Sequence, residues 1–118
     1  MKMLLLSVLV LSSVSAFAKD CSEEMSTNDT FQCEVANYKA EDARLNDNYK
    51  KLMAKLDRVG QKKLQTAQRA WIAYKEADCE YSADEMRGGS YEKVILMGCL
   101  AGKTKERADV IQDGVDFR

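Results

Sequence analysis

At 118 residues, with 18 basic and 19 acidic side chains and a net charge of −1, the chain has the size of one small domain and lacks the basic excess of a nucleic-acid binder. It contains no histidine, which excludes Ser-His-Asp and Cys-His catalysis and removes the commonest metal ligand. Neither a Gly-rich phosphate loop nor a C-x-x-C pair is present, so no metal or other cofactor is expected.

The chain opens on Met1-Lys2-Met3, followed by an apolar run over 4–11 and the small-residue string Ser15-Ala16-Phe17-Ala18. This reads as a secretory signal peptide, residues 1–18, cut after Ala18. The run is too short to span a bilayer. Removing it takes away Lys2 alone among the charges, leaving 17 basic against 19 acidic residues. A lipid anchor needs a small-residue box directly before Cys21. Ala18-Lys19-Asp20 stands there, so a mature protein without a stable membrane anchor is expected.

After a short arm, Phe31, Val35, Tyr38, Asp42, Leu45, Tyr49, Leu52, Leu56 and Val59 recur four and three apart, the stripe of an amphipathic helix. Ser26, Thr27 and Thr30 are candidate N-caps, and Gly60 is the expected stop. A second helix from about Gln61 places Leu64, Ala67, Trp71, Tyr74, Asp78 and Tyr81 on one face. Gly88-Gly89 ends it, and Ser90 is positioned to cap a third helix carrying Val94, Met97, Ala101, Ala108 and Ile111. Met86 and Met97 read as core filler. Residues 19–112 form the domain, and 113–118 are expected to be a flexible, frayed tail. The resulting fold class is all-α, a small antiparallel three-helix bundle with two disulfides.

An exported chain oxidises its thiols. Cys79 lies ten residues before Gly89 and Cys99 ten after it, so antiparallel packing brings them level. Cys79–Cys99 is therefore the first expected bridge, leaving Cys21–Cys33 to pin the arm to the first helix. Four cysteines allow three pairings, and the spacing alone does not choose among them.

The same counting around the turns gathers Asn46, Tyr49, Gln68, Trp71 and Arg107 into one layer, with the guanidinium over the indole. Asp42 and Asp78 lie on otherwise apolar stripes and need donors, for which Arg69, Lys75 and Arg107 are the candidates. The layer reads as a structural polar network that fixes register. The competing reading is an enzyme using Asp42 and Asp78 as an acid–base pair, but short turns leave little room for a substrate cleft. Two surface features are candidates for a protein partner. One is the basic cluster Lys50, Lys51, Lys55, Arg58, Lys62 and Lys63. The other is the turn Arg87-Gly88-Gly89-Ser90-Tyr91, which presents a cation and an aromatic.

Several of these residues form a recognisable string. Asp42-x-x-Leu45-Asn46-x-x-Tyr49 is followed by Leu64-x-x-Ala67-Gln68-Arg69-Ala70-Trp71-Ile72-x-Tyr74. Asp78-Cys79, Gly88-Gly89-Ser90 and Cys99-x-x-x-x-Thr104-x-x-Arg107 complete it. Together they resemble the LprI-type lysozyme inhibitor family, which also contains YecT-like bacterial envelope proteins. The resemblance runs from about Cys21 to Ile111. It implies an exported, helical, cysteine-bridged domain that is not an enzyme and that inhibits lysozyme by direct binding. A helical envelope adaptor or stress-related binding protein with another partner is the alternative.

Overall fold

A computed structural model describes residues 20–21 and 25–118. The segment read as a signal peptide, 1–18, lies outside them. Three helices follow in order: α1 Thr27–Lys55, α2 Arg58–Asp84 and α3 Glu92–Phe117. No proline interrupts any of them.

Of the three candidate caps, Ser26 is the N-cap of α1, its Oγ accepting from the Asp29 amide at 3.1 Å. Asp29 in the first turn and Lys55 in the last complement the helix dipole. The stop is not Gly60. Leu56 and Asp57 are both extended and turn the chain, and the Asp57 carboxylate caps α2 by accepting from the Gly60 amide at 2.8 Å. Gly60 therefore sits inside the first turn of α2, where a Cβ would stand 3.3 Å from Asp57 Oδ1 and from Leu56 Cβ. Its small size lets the cap close.

The second turn uses Gly88 at φ 77°, a conformation that favours glycine. The Gly88 amide donates to Glu92 Oε2 at 3.1 Å. Ser90 does not cap α3. Tyr91 occupies the N-cap position without a side-chain hydrogen bond, and its carbonyl receives the Val94 and Ile95 amides, each at 3.1 Å. At the other end α3 stays helical through Phe117, where a frayed tail was expected. Lys55 Nζ donates to the Val115 carbonyl, tying this last turn to the end of α1.

α1 packs chiefly on α3, α2 packs on α3 over a smaller area, and α1 and α2 meet only weakly. Contacts between α1 and α3 rise together along both helices, from Glu34 beside Gly98, through Arg44 with Asp109, to Leu52 beside Gly114. Along α2 and α3 the partners run in opposite order: Cys79 with Cys99, Asp78 with Lys103, Gln68 with Arg107. The disulfides are Cys21–Cys33 and Cys79–Cys99, with Cα separations of 5.8 and 5.5 Å.

The apolar core belongs to the α1–α3 pair: Leu45, Leu52, Ala108 and Ile111, with Tyr49, Leu56, Leu64, Trp71 and Val115 packed around them. Each large core side chain contributes about 1.5–3 kcal/mol by leaving water. An ionic clamp flanks this core. Arg44 pairs with Glu41 at 2.8 Å and Asp109 at 2.7 Å, and donates to Gln112 Oε1 and the Lys105 carbonyl. Burial disfavours the Arg44 charge, but the hydrogen bonds to Asp109 and Glu41 outweigh it and raise the pKa. Hydrogen bonds from Lys105 and Arg44 hold the Asp109 carboxyl below its ordinary 3.8.

The α2 stripe departs from expectation. Leu64, Trp71 and Asp78 are half-buried, but Ala67, Tyr74 and Tyr81 face water, and the fully buried residues are Lys75, Cys79 and Ala83. Val59, expected at the end of the first stripe, is also exposed in the first turn of α2. Met86, expected in the core, is 40% exposed, whereas Met97 is partly buried.

Candidate functional site

The polar residues singled out in the sequence lie along the seams of α2. Arg107 donates from Nε to Gln68 Oε1 at 3.0 Å, and its guanidinium carbon stands 6.0 Å from the centroid of Trp71. Burial pushes the Arg107 pKa down. Asn46, Tyr49, Gln68 and Arg69 line one shallow depression between α1 and α2, with Gln65 and Ile72. The expected layer is thus assembled around Gln68, which faces both Arg107 and this depression.

The two carboxylates are satisfied differently from the expectation. Asp78 pairs with Lys103 at 2.8 Å. Lys103 also spreads over the Tyr74 ring, 4.8 Å from its centroid. The hydrogen bond to Asp78 outweighs the opposing effect of burial and raises the Lys103 pKa. Asp42 accepts from Asn46 Nδ2 at 3.3 Å. Among the described residues, no ion pair joins Arg69, Lys75 or Arg107 to Asp42 or Asp78. Arg69 is exposed, and Arg107 is occupied by Gln68.

Lys75 is the residue the sequence reading misplaced most. It is 5% exposed, and its ammonium lies 4.9 Å from the Trp71 centroid and 5.4 Å from that of Tyr38, donating to Tyr38 Oη at 3.3 Å. Aromatic faces hold its charge where a carboxylate was expected. One signal was present in the sequence: Trp71 and Lys75 are four residues apart, hence neighbours on a helix. The Arg44 clamp was also missed, although Glu41 and Arg44 stand at the i, i+3 spacing of a helical ion pair.

The turn Arg87-Gly88-Gly89-Ser90-Tyr91 is exposed throughout. Its cation is not free. Arg87 makes two parallel bonds to Asp84, each 2.7 Å, and this pairing raises its pKa. Glu85 is exposed beside it, and Glu92 is spent on the Gly88 amide. In the basic cluster, Lys51 pairs with Asp47 at 2.9 Å and Lys55 is bound to Val115. Arg58, Lys62 and Lys63 are exposed, with no ion pair among the described residues. Val59, 64% exposed, lies with Lys62, Lys63 and Thr66 in one shallow apolar depression. The described residues contain no metal-competent cluster of acidic or cysteine side chains.

The family model described as lysozyme inhibitor LprI matches residues 18–110, the whole of the disulfide-bridged helical region up to the last two turns of α3. The chain belongs to the LprI lysozyme inhibitor family. A similar protein of Rhizobium meliloti (strain 1021), named only as uncharacterized protein R02472, is 33% identical over 107 residues, covering 80% of this chain and 77% of its own. No solved structure matches the chain. LprI is by its description an inhibitor family, and that description together with two disulfides points to an exported protein. No described helix is long and apolar enough to cross a membrane.

Proposed function

We propose that this LprI-family protein is delivered to the periplasm by its 1–18 leader and inhibits lysozyme by binding it directly. The observation that carries this reading is the LprI match across the helical region. The geometry supports a binding role. Asp78 is tied to Lys103 and Asp42 to Asn46, so neither carboxylate stands unpartnered as a catalytic acid or base.

Lysozyme's groove rests its chemistry on two carboxylates, so a blocking surface gains from an uncompensated cation beside apolar contact area. The α1–α2 end offers this. Arg58, Lys62 and Lys63 make no ion pair among the described residues, and Lys62 and Lys63 line a depression with exposed Val59. The Arg87–Tyr91 turn is the second candidate contact, with Arg87 preorganised by Asp84 and Tyr91 partly exposed.

A turbidity assay of lysozyme-driven cell lysis tests both. The oxidised protein is expected to slow lysis. Arg58→Ala with Lys62→Ala should weaken inhibition by about tenfold or more, the size of effect of a true contact. Arg87→Ala with Tyr91→Ala measures the other end in parallel. Absence of inhibition by the folded wild type refutes the reading, and unchanged inhibition in one pair removes that end as the contact.

A further inference from the structure

α2 carries an apolar stripe that the fold leaves largely open, with only the Lys103 ammonium reaching the Tyr74 ring. Ala67, Ala70, Tyr74, Ala77 and Tyr81 alternate three and four apart and all are exposed, Tyr74 at 58% and Tyr81 at 79%. This is the spacing of a two-helix seam, with alanines small enough for close approach and tyrosines large enough to bury area.

The charges on the same helix are segregated. The N-terminal half carries Arg58, Lys62, Lys63 and Arg69 and no acid; beyond Lys75 come Glu76, Asp78, Glu80, Asp84 and then Glu85 at the C-cap. Within the helix that order runs against the dipole, with no acid in the first turn and no base in the last; the Asp57 cap offsets it at the start, and Arg87 pairs with Asp84 just beyond the end.

We propose that α2 is a self-complementary docking surface whose occupant is α2 of a second copy of this chain, laid antiparallel about Tyr74. Rotation about that residue sets Ala67 against the partner's Tyr81, Tyr74 against its own copy, and Ala70 beside the partner's Ala77. The same rotation places Lys63 level with the partner's Glu85, eleven residues to either side of Tyr74. The basic half of each helix then lies along the acidic half of the other, with exposed Lys63 facing exposed Glu85 at each end. The interface is isologous and closed, so it stops at a dimer. It does not depend on lysozyme being the inhibited target, because its readout is mass.

Sedimentation of the purified, oxidised protein across a wide concentration range tests it. The wild type is expected to form a dimer. Tyr74→Glu with Tyr81→Glu should raise its dissociation constant by about tenfold or more. Lys63→Glu and Glu85→Lys should each weaken the dimer, and combining them in one chain should restore it, because every 63–85 contact regains opposite charge. Circular dichroism and thiol titration establish that each variant is helical and bridged. A wild type that stays monomeric, or a dimer indifferent to both the tyrosines and the charge exchange, overturns the proposal. So does a monomer whose Tyr74→Glu variant loses affinity for lysozyme, which assigns the face to that partner.

Discussion

Lys75, expected only as a donor to a carboxylate, is a buried cation held by aromatic rings. A cation on the inner side of a helix is ordinarily matched by a carboxylate, because an unpaired buried charge is expensive. Here Trp71 and Tyr38 supply the stabilisation through their ring faces and one phenol oxygen. The four-carbon stem meanwhile fills the seam as an apolar side chain does. Charge and stem therefore make separable contributions. Lys75→Met keeps the length and loses the charge together with its desolvation cost, so urea unfolding should show stability within about 1 kcal/mol of wild type. Lys75→Ala empties the seam and should lose about 2–4 kcal/mol, as a large-to-small core replacement does. If both variants lose the same amount, the ammonium is the stabilising part and the stem contributes little.

At the scale of the helices, the turn between α1 and α2 is made by two extended residues and one cap. Asp57 satisfies an orphan amide at the start of α2. Asp57→Ala should reduce stability by about 1 kcal/mol in urea unfolding, whereas Asp57→Ser, which retains an acceptor, should recover most of it. The same turn marks where the sequence is legible and where it is not. The α1 and α3 stripes follow from periodicity; counting outward from Gly88-Gly89 makes Cys79–Cys99 the first choice among three pairings, and Cys21–Cys33 is what that choice leaves. The α1–α2 boundary does not, because Leu56 and Asp57 lack the glycine or proline that ordinarily announces a stop, and Gly60 draws attention three residues too late. The α2 face is only half legible. Periodicity identifies an apolar side, but Tyr74 and Tyr81 share that side with Trp71, and only packing decides which of them is covered. In the polar layer, Gln68, Trp71 and Arg107 follow from register. Lys103 does not, because nothing local distinguishes it from Lys105, which pairs instead with Asp109 on the same helix.

The whole molecule is held together unevenly, and this sets its response to reduction. α1 and α3 share the apolar core and the Arg44 clamp. α2 buries Lys75, Cys79 and Ala83, lends Leu64 and Trp71 to the edge of that core, and is otherwise attached by Gln68–Arg107, Asp78–Lys103 and the Cys79–Cys99 bridge. Exposed ion pairs such as Asp78–Lys103 contribute at most about 1 kcal/mol. The bridge closes a loop of 20 residues, for which chain entropy gives about 3 kcal/mol. It is thus a major attachment of α2, and its loss should be felt locally first. In Cys79→Ala with Cys99→Ala, hydrogen exchange should accelerate most along α2, while amides of α1 and α3 near Leu45 and Ala108 keep the greater part of their protection. Removing Cys21–Cys33 instead should leave α2 unchanged, since that bridge ties only the arm to α1. Uniform acceleration across all three helices on loss of Cys79–Cys99 would mean that they unfold as one cooperative unit. A graded response would mean that oxidation serves chiefly to keep α2 in place, and α2 is the helix that carries both the exposed cations Arg58, Lys62 and Lys63 and the exposed Tyr74 and Tyr81.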